Sequence, residues 1–450
     1  MAARFVTGDR EQVFLLPPDM RDWLPESDLA WTVLDAVGQL DLSGFEAAYR
    51  ADGRSRPPYD PAVMVALLLF AYCDGVRSSR QIERRCERDV AYRVVSGNLR
   101  PDHATIARFR VRHRDALAEV FTQVLRLCAQ VGLLRVGVVA LDGTKMAAPA
   151  AGGQNRTGEQ LDAEIAELAG QVQTMLADAE RVDAAEDAAH GPGRGDEPPP
   201  GLRSRQERLE RLAAAKARLD AEAAAAQAAQ DQRRADWQAQ RAAGQKVGRP
   251  PAAGPPAGRR ARLRVNVTDP DSRSQLTGRG YLQGYNAQAV VAAGQIIVAT
   301  DVQSSPADTL ALHPMITAAQ AEVAAATAGG QRIRGVLTDA GYGGKTNLAR
   351  STEVTLLVAT TSGRTADVTG PPRDAAVAAM ERRVHSPTGR RLMRRRAGQV
   401  EPVFGQIKNR LGNNLSHRGI DAARSEWRLV ATSHNLLKYW RAATADPAPA

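Results

Sequence analysis

The run Val136-Gly137-Val138-Val139-Ala140-Leu141 constrains the fold more than any other stretch of the chain. It is short, apolar and mostly β-branched, without polar alternation, and so reads as a strand buried on both faces. Asp142 ends it, which holds a carboxylate at the edge of a core. Asp142-Gly143 is also a common hairpin signal, and alone the pair reads as a turn. Matching acids further along are needed to decide between a turn and a site.

Composition narrows the partners. Lys plus Arg number 60 against 50 Asp plus Glu, a formal charge of +10, with a pI near 9.9. That balance favours a polyanion, nucleic acid first, over a merely basic soluble surface. The 450 residues give room for about two or three domains. Cys73, Cys86 and Cys128 lie far apart without metal-ligand spacing, as in reduced, buried thiols of a cytosolic protein. Residues 1–20 lack a signal-peptide pattern, and the apolar run Ala62 to Cys73 is too short to span a bilayer.

Residues 1–130 read as helical. Asp60-Pro61 starts a helix that Asp74-Gly75 stops, Ser79 caps a second through Cys86, and Asp102 caps a third from His103 to Arg114. Helix, break and a short arginine-bearing helix match a helix-turn-helix reader of DNA. Arg84, Arg85, Arg108, Arg110 and Arg112 are its candidate DNA contacts. They cannot all face one way, since a step of two turns about 200° around a helix. A plain bundle with a solvated basic face is the alternative.

Between 157 and 246 the pattern changes. Leu161, Ile165, Leu168, Val172 and Met175 keep a heptad rhythm, a Gly/Pro linker spans 190–200, and a second Ala-rich helix runs from about Ser204 to Ala243. The pair predicts an antiparallel helical hairpin with a thin apolar stripe, ended by a Pro/Gly connector at 248–258. Strands return at Gly284–Val291 and Gln295–Thr300, an antiparallel hairpin, followed by a helix from Pro306 to about Ala325. Ile333–Thr338 is another buried strand ending in an acid, Asp339, and Val354–Val358 is a further strand. An arginine-rich approach leads into a helix from Val400 to Leu411, with Glu401 near its start and Lys408 two turns on. Two strand-end carboxylates and one helix carboxylate can converge on divalent ions for phosphoryl displacement.

The chain resembles the DDE-type transposases of bacterial insertion sequences. The likeness rests on Leu141-Asp142-Gly143-Thr144-Lys145, Thr268-Asp269-Pro270-Asp271-Ser272-Arg273, Gly284-Tyr285-Asn286-Ala287-Gln288, Asp339-Ala340-Gly341-Tyr342 and Val400-Glu401-Pro402-Val403-Phe404-Gly405-Gln406-Ile407-Lys408. It covers most of residues 10–440, apart from the helical hairpin. It implies an α/β fold, an RNase H-like mixed sheet with flanking helices, preceded by an all-α N-terminal domain and interrupted by a long α-helical hairpin. The implied divisions are 1–130 (DNA binding), 131–156 and 263–441 (catalytic), 157–262 (insertion) and a disordered tail at 442–450.

The resemblance also implies a catalytic and metal-binding triad of Asp142, Asp339 and Glu401 with two Mg²⁺ ions, for which Mn²⁺ can substitute. Lys408 and Arg396 would contact DNA. The family's tyrosine position falls near Met393, a departure that touches one DNA-end contact. Asp269 and Asp271 read as turn residues. The implied function is cut-and-paste transposition on terminal inverted repeats and target DNA, by a homodimer assembled on DNA ends in the bacterial cytoplasm at the nucleoid. A catalytically inactive, transposase-derived DNA-binding protein is the competing reading, and a coiled-coil scaffold accounts only for 157–246.

Overall fold

The computed structural model describes residues 19–49, 57–190, 201–245, 247–251, 263–350, 352–359 and 375–444. The linker expected at 190–200, the connector at 248–258 and the tail at 442–450 fall largely outside them.

The first helices are α1 (Leu29–Gly38), α2 (Ser43–Glu46), α3 (Pro61–Cys73), α4 (Ser79–Arg88), α5 (Val90–Val95), α6 (His103–Arg112) and α7 (Arg114–Gln130). Strands β1 (Arg135–Ala147) and β2 (Asn155–Arg156) precede the long helices α8 (Gly158–His190) and α9 (Leu202–Ala242). Then come β3 (Val265–Asn266), β4 (Arg273–Thr277), β5 (Gly280–Ala293), β6 (Ile297–Gln303), α10 (Leu312–Thr327), β7 (Gly335–Thr338), α11 (Lys345–Ala349) and β8 (Thr355–Val358). Helices α12 (Ala375–His385), α13 (Pro387–Leu411) and α14 (Ile420–Ala443) complete the described chain.

The protein is mixed α/β, and its main sheet runs β4-β5-β1-β7-β8, with β6 also on β5. The β5–β6 pair is the antiparallel hairpin predicted from sequence. β1 is antiparallel to β5 and parallel to β7, which is parallel to β8. β1 does not stop at Asp142 as its apolar pattern predicts. It continues to Ala147 because β5 offers a long partner, pairing Asp142 with Ala289 and onward to Ala147 with Gly284. Eight consecutive ladder pairs, Ala140 to Ala147, outweigh the local turn preference of Asp-Gly.

A second correction concerns the helix bearing Glu401. It begins at Pro387, not Val400, because Ser386 accepts from the Gly389 amide at 3.0 Å and Pro387 fills the first turn. Glu401 therefore lies well inside α13, away from the positive N-terminal end. The helix expected from Pro306 starts later, at Leu312, after a 3-10 turn at Asp308–Leu310.

Helix α3 starts as its sequence predicts, with Asp60 accepting from the Ala62 amide. It is apolar all round and buried from Met64 to Cys73, the signature of a central helix. Part of what buries it is α14: the Cys73 thiol donates to the Ser433 carbonyl at 3.4 Å, and Cys128 of α7 donates to Asn435 O at 3.7 Å. The helical layer and the sheet thus share one continuous hydrophobic core, so residue 130 is not a packing boundary. A buried polar chain crosses the same seam. Arg110 donates to Tyr72 Oη at 3.2 Å and to the Arg77 carbonyl at 2.8 Å, and Arg77 reaches Glu426 at 3.2 Å. Glu426 also accepts from the Ser416 amide at 2.7 Å and lies 2.9 Å from His417 Nδ1.

The helical hairpin has its own small core, made of Leu161, Leu168, Leu212, Ala215 and Leu219 with Val265. Lys216 bonds Asp162 at 2.7 Å across it. Its base is tied to the sheet by Arg273 with Glu222 and by Arg218 with Asp271 at 3.2 Å. The insertion is therefore rooted in the sheet edge as well as projecting from it.

Burial by itself pushes the Glu426 carboxyl up, but hydrogen bonding and charge from His417, the Ser416 amide and Arg77 outweigh it and hold it below its ordinary value. A depressed carboxyl stabilises the fold above its unfolded-state value, near 4.5, and loses that contribution as pH falls through the lower folded value. Glu426→Ala, which strands Arg77 in the seam, should cost about 3–5 kcal/mol in urea unfolding at pH 7 and less at pH 3.5.

Candidate active site

The acid pair follows from strand register. Val138 pairs with Gly335, Val139 with Val336 and Ala140 with Leu337. Two residues further along each parallel strand stand Asp142 and Asp339, on neighbours roughly 4.8 Å apart. Asp339 leaves β7 as the cap of the 3-10 turn Ala340–Tyr342, accepting from the Gly341 amide at 2.9 Å. Asp142 accepts from the Gly143 amide at 2.8 Å through Oδ1, and from Arg396 Nη1 at 2.8 Å through Oδ2. Burial pushes the Asp142 carboxyl up to about 6. Arg396 works against that shift, while Asp339 and then Asp308 add to it.

Asp308 was not among the residues singled out from sequence. Asn286 Nδ2 donates to its Oδ1 at 2.6 Å and Gln288 Nε2 at 2.9 Å. Gln288 in turn accepts from the Tyr342 hydroxyl. Lys145 donates to the Pro306 carbonyl at 2.9 Å and stands 3.8 Å from Asp308 Oδ1. Both motif glycines face this cluster: a Cβ on Gly143 would run first into Gln288 Nε2 and Asn286 Oδ1 at 2.8 Å. A Cβ on Gly143 would fall 2.9 Å from Asp308 Oδ1, and one on Gly341 would fall 3.1 Å from Asp308 Oδ2 and from Asp339 Oδ1. The only sequence signal was two carboxamides, Asn286 and Gln288, two apart on one strand and so on one face.

Glu401 is exposed, and Lys408 is half-buried with its ammonium pushed down by burial. Five residues separate Arg396 from Glu401, about 140° around the helix, so with Arg396 on Asp142 the glutamate faces away. Among the described residues, no three Asp, Glu, His or Cys side chains are grouped closely enough to hold a metal ion. The chemistry of the pair still suits one. Asp142 and Asp339 are hard oxygen donors, and the buried Asn286 Oδ1 beside Gly143 has no partner. The two aspartates thus fit a divalent ion, and Glu401 does not complete the set as folded.

The N-terminal arginines divide by environment. Arg84 and Arg108 are exposed. Arg85 is committed to Asp89 at 2.9 Å and Asp74 at 3.4 Å. Arg112 is exposed, lies 4.4 Å from the Tyr49 ring centroid and donates to the Ala48 carbonyl. Arg110 is buried in the seam and faces no solvent partner. Asp269 is buried too, taking the Tyr285 hydroxyl at 2.8 Å on both oxygens, so it braces a turn.

A raised carboxyl is unfavourable for folding once ionised, fully above its folded value and not at all below its unfolded one. In divalent-free buffer, Asp142→Asn should therefore stabilise the protein by about 1–3 kcal/mol at pH 7.5 and by little at pH 4. Denaturant midpoints at the two pH values check both the sign and its disappearance.

No described helix is long and apolar enough to cross a membrane. No curated protein and no solved structure matches the chain. Two family models do. Residues 18–112 match a family described as Transposase domain (DUF772), and residues 359–440 match one described as Transposase DDE domain. The first spans α1 to α6; the second spans α12, α13 and most of α14, with Arg396, Glu401 and Lys408. Asp142 and Asp339 lie between the two matched segments. A helical transposase domain followed by a DDE transposase domain in one chain supports an insertion-sequence DDE transposase.

Proposed function

We propose that this chain binds the terminal inverted repeats of its element, cuts DNA there by metal-dependent hydrolysis and joins the freed 3′-OH ends to target DNA. The observation that carries this reading is the register placing Asp142 and Asp339 side by side at one end of the parallel β1–β7 pair. The strand order β5-β1-β7-β8, with α13 lying on the sheet, supports an RNase H-like core. Gln399 donates to the Val138 and Val291 carbonyls, so α13 sits over the two central strands.

Asp142, Asp339 and Glu401 would hold two Mg²⁺ ions, with Mn²⁺ a workable substitute, and those ions supply activation of the attacking oxygen and stabilisation of the leaving one. The chain's own part is to orient the carboxylates. Arg396 neutralises Asp142 before DNA arrives. When a phosphate takes over that guanidinium, Asp142 is freed, and a rotation of α13 brings Glu401 toward the pair. Lys408, on the same side of the helix as Glu401, meets the DNA backbone. Arg84, Arg108 and Arg112 on the helical layer contact repeat DNA, while Arg110 holds that layer together. Paired ends are cut by a homodimer in the bacterial cytoplasm, with the exposed second half of α9 available to a partner protomer.

Asp142→Asn, Asp339→Asn and Glu401→Gln should each abolish nicking of repeat-end DNA in Mg²⁺ and leave its dissociation constant within about twofold, a loss of transition-state rather than ground-state binding. Near-normal cleavage by Glu401→Gln would remove it from the triad. If the wild type binds repeats but never cuts them, the chain is the inactive DNA-binding relative instead.

A further inference from the structure

The acid pair is backed by a third carboxylate, Asp308, that lies outside both the triad and the family matches. Asp308 lies at once against β1 just past Asp142 and against the turn after Asp339, with one oxygen over Gly143 and the other over Gly341. It is fixed from behind by Asn286 and Gln288, and Gln288 is fixed in turn by Tyr342. The Asp308 Oδ1 is therefore oriented by two amide donors.

The cation beside it explains why such a fixed carboxylate is useful. Lys145 follows Asp142 by three residues on β1, and its ammonium feels Asp308, Asp339 and Asp142 in that order. The Pro306 carbonyl and Asp308 keep it on their side of the strand. Its charge already acts on Asp339 and Asp142, so an ammonium released from Asp308 and Pro306 would compete for the oxygens that the reaction needs. Arg396 already neutralises Asp142 from the α13 side, so a second cation on the pair would leave it no net charge with which to attract a divalent ion.

We infer that Asp308 is a positioning residue of the active centre, which braces β1 beside Asp142 and the turn after Asp339 and holds Lys145 clear of the acid pair. The inference rests on the transposase reading and adds to it a residue acting through others. Asp308 touches no DNA and makes no bond; it decides which cation sits where.

The test uses the full chain and Mn²⁺ as the probe, read by electron paramagnetic resonance, together with nicking of repeat-end DNA and thermal melts. Asp308→Asn keeps the size and removes the charge. It should weaken Mn²⁺ binding about 10–100-fold and lower kcat similarly, as loss of a partner behind a metal ligand does, with DNA affinity unchanged. Lys145→Met should bind Mn²⁺ at least as tightly as the wild type. The double variant Lys145→Met/Asp308→Asn should recover most of the Mn²⁺ affinity lost in Asp308→Asn, a coupling that a purely structural role would not give.

Normal Mn²⁺ binding by Asp308→Asn, or a double variant no better than Asp308→Asn alone, would overturn the inference. Should Asp308→Asn fail to melt cooperatively, Asp308→Ser, alone and with Lys145→Met, is read in the same assays with the same expected and overturning results. A wild type that neither binds Mn²⁺ nor cuts DNA sinks the transposase reading itself. A fully active Asp308→Asn sinks only the role of Asp308.

Discussion

Everything in the candidate site depends on β1 being shared between two partners of opposite direction. Its antiparallel ladder with β5 carries it past Asp142 to Ala147, and its parallel pairing with β7 brings Asp142 level with Asp339. Parallel neighbours place equivalent positions side by side, so two acids that follow two buried runs must meet at the same end of the sheet. A strand buried on both faces makes that meeting costly, because carboxylates lose water there. The raised Asp142 carboxyl is the sign of that cost.

The rest of the site offsets it. Arg396 reaches Asp142 from the helix above, and Lys145 meets Asp308. Three carboxylates against two cations leave the cluster with one net negative charge, the sign a divalent cation would meet. Glycine at 143 and 341 belongs to the same solution. A side chain at 143 would run into Gln288, Asn286 and Asp308, and one at 341 into Asp308 and Asp339.

What could be read from the sequence was what local chemistry decides. The β-branched runs at 136–141 and 335–338, the Asp60-Pro61 and Asp102 caps and the heptad stripe at Leu161 and Leu168 each declare themselves within a few residues. Whatever depends on a distant partner could not be read this way. β1 overrides Asp-Gly because β5 is long, and Arg110 turns inward because Tyr72 and the Arg77 carbonyl await it. Asp308 left only the faint signal of two carboxamides, because its partners lie 20 residues away or more, on β5 and β1. The start of α13 was local, since Ser386-Pro387 is a cap, but the arginine run that follows it reads as a solvated approach.

The same non-local packing bears on how the helical layer acts. A reader of DNA attached through a flexible linker would carry its arginines independently of the acid pair. Here α3 and α7 are buried against α14, and Arg110, Arg77 and Glu426 form a polar bridge through the seam. Gly75, in the turn after α3, sits so close to the end of α13 that a Cβ there would fall 2.9 Å from the Arg410 carbonyl. The exposed Arg84 and Arg108 are thus built on the body that also carries α13, with Arg396 and Glu401. On the proposed function, a DNA end held by the layer would meet the acid pair at a distance set by side-chain packing, and the core would fix the orientation of the cut.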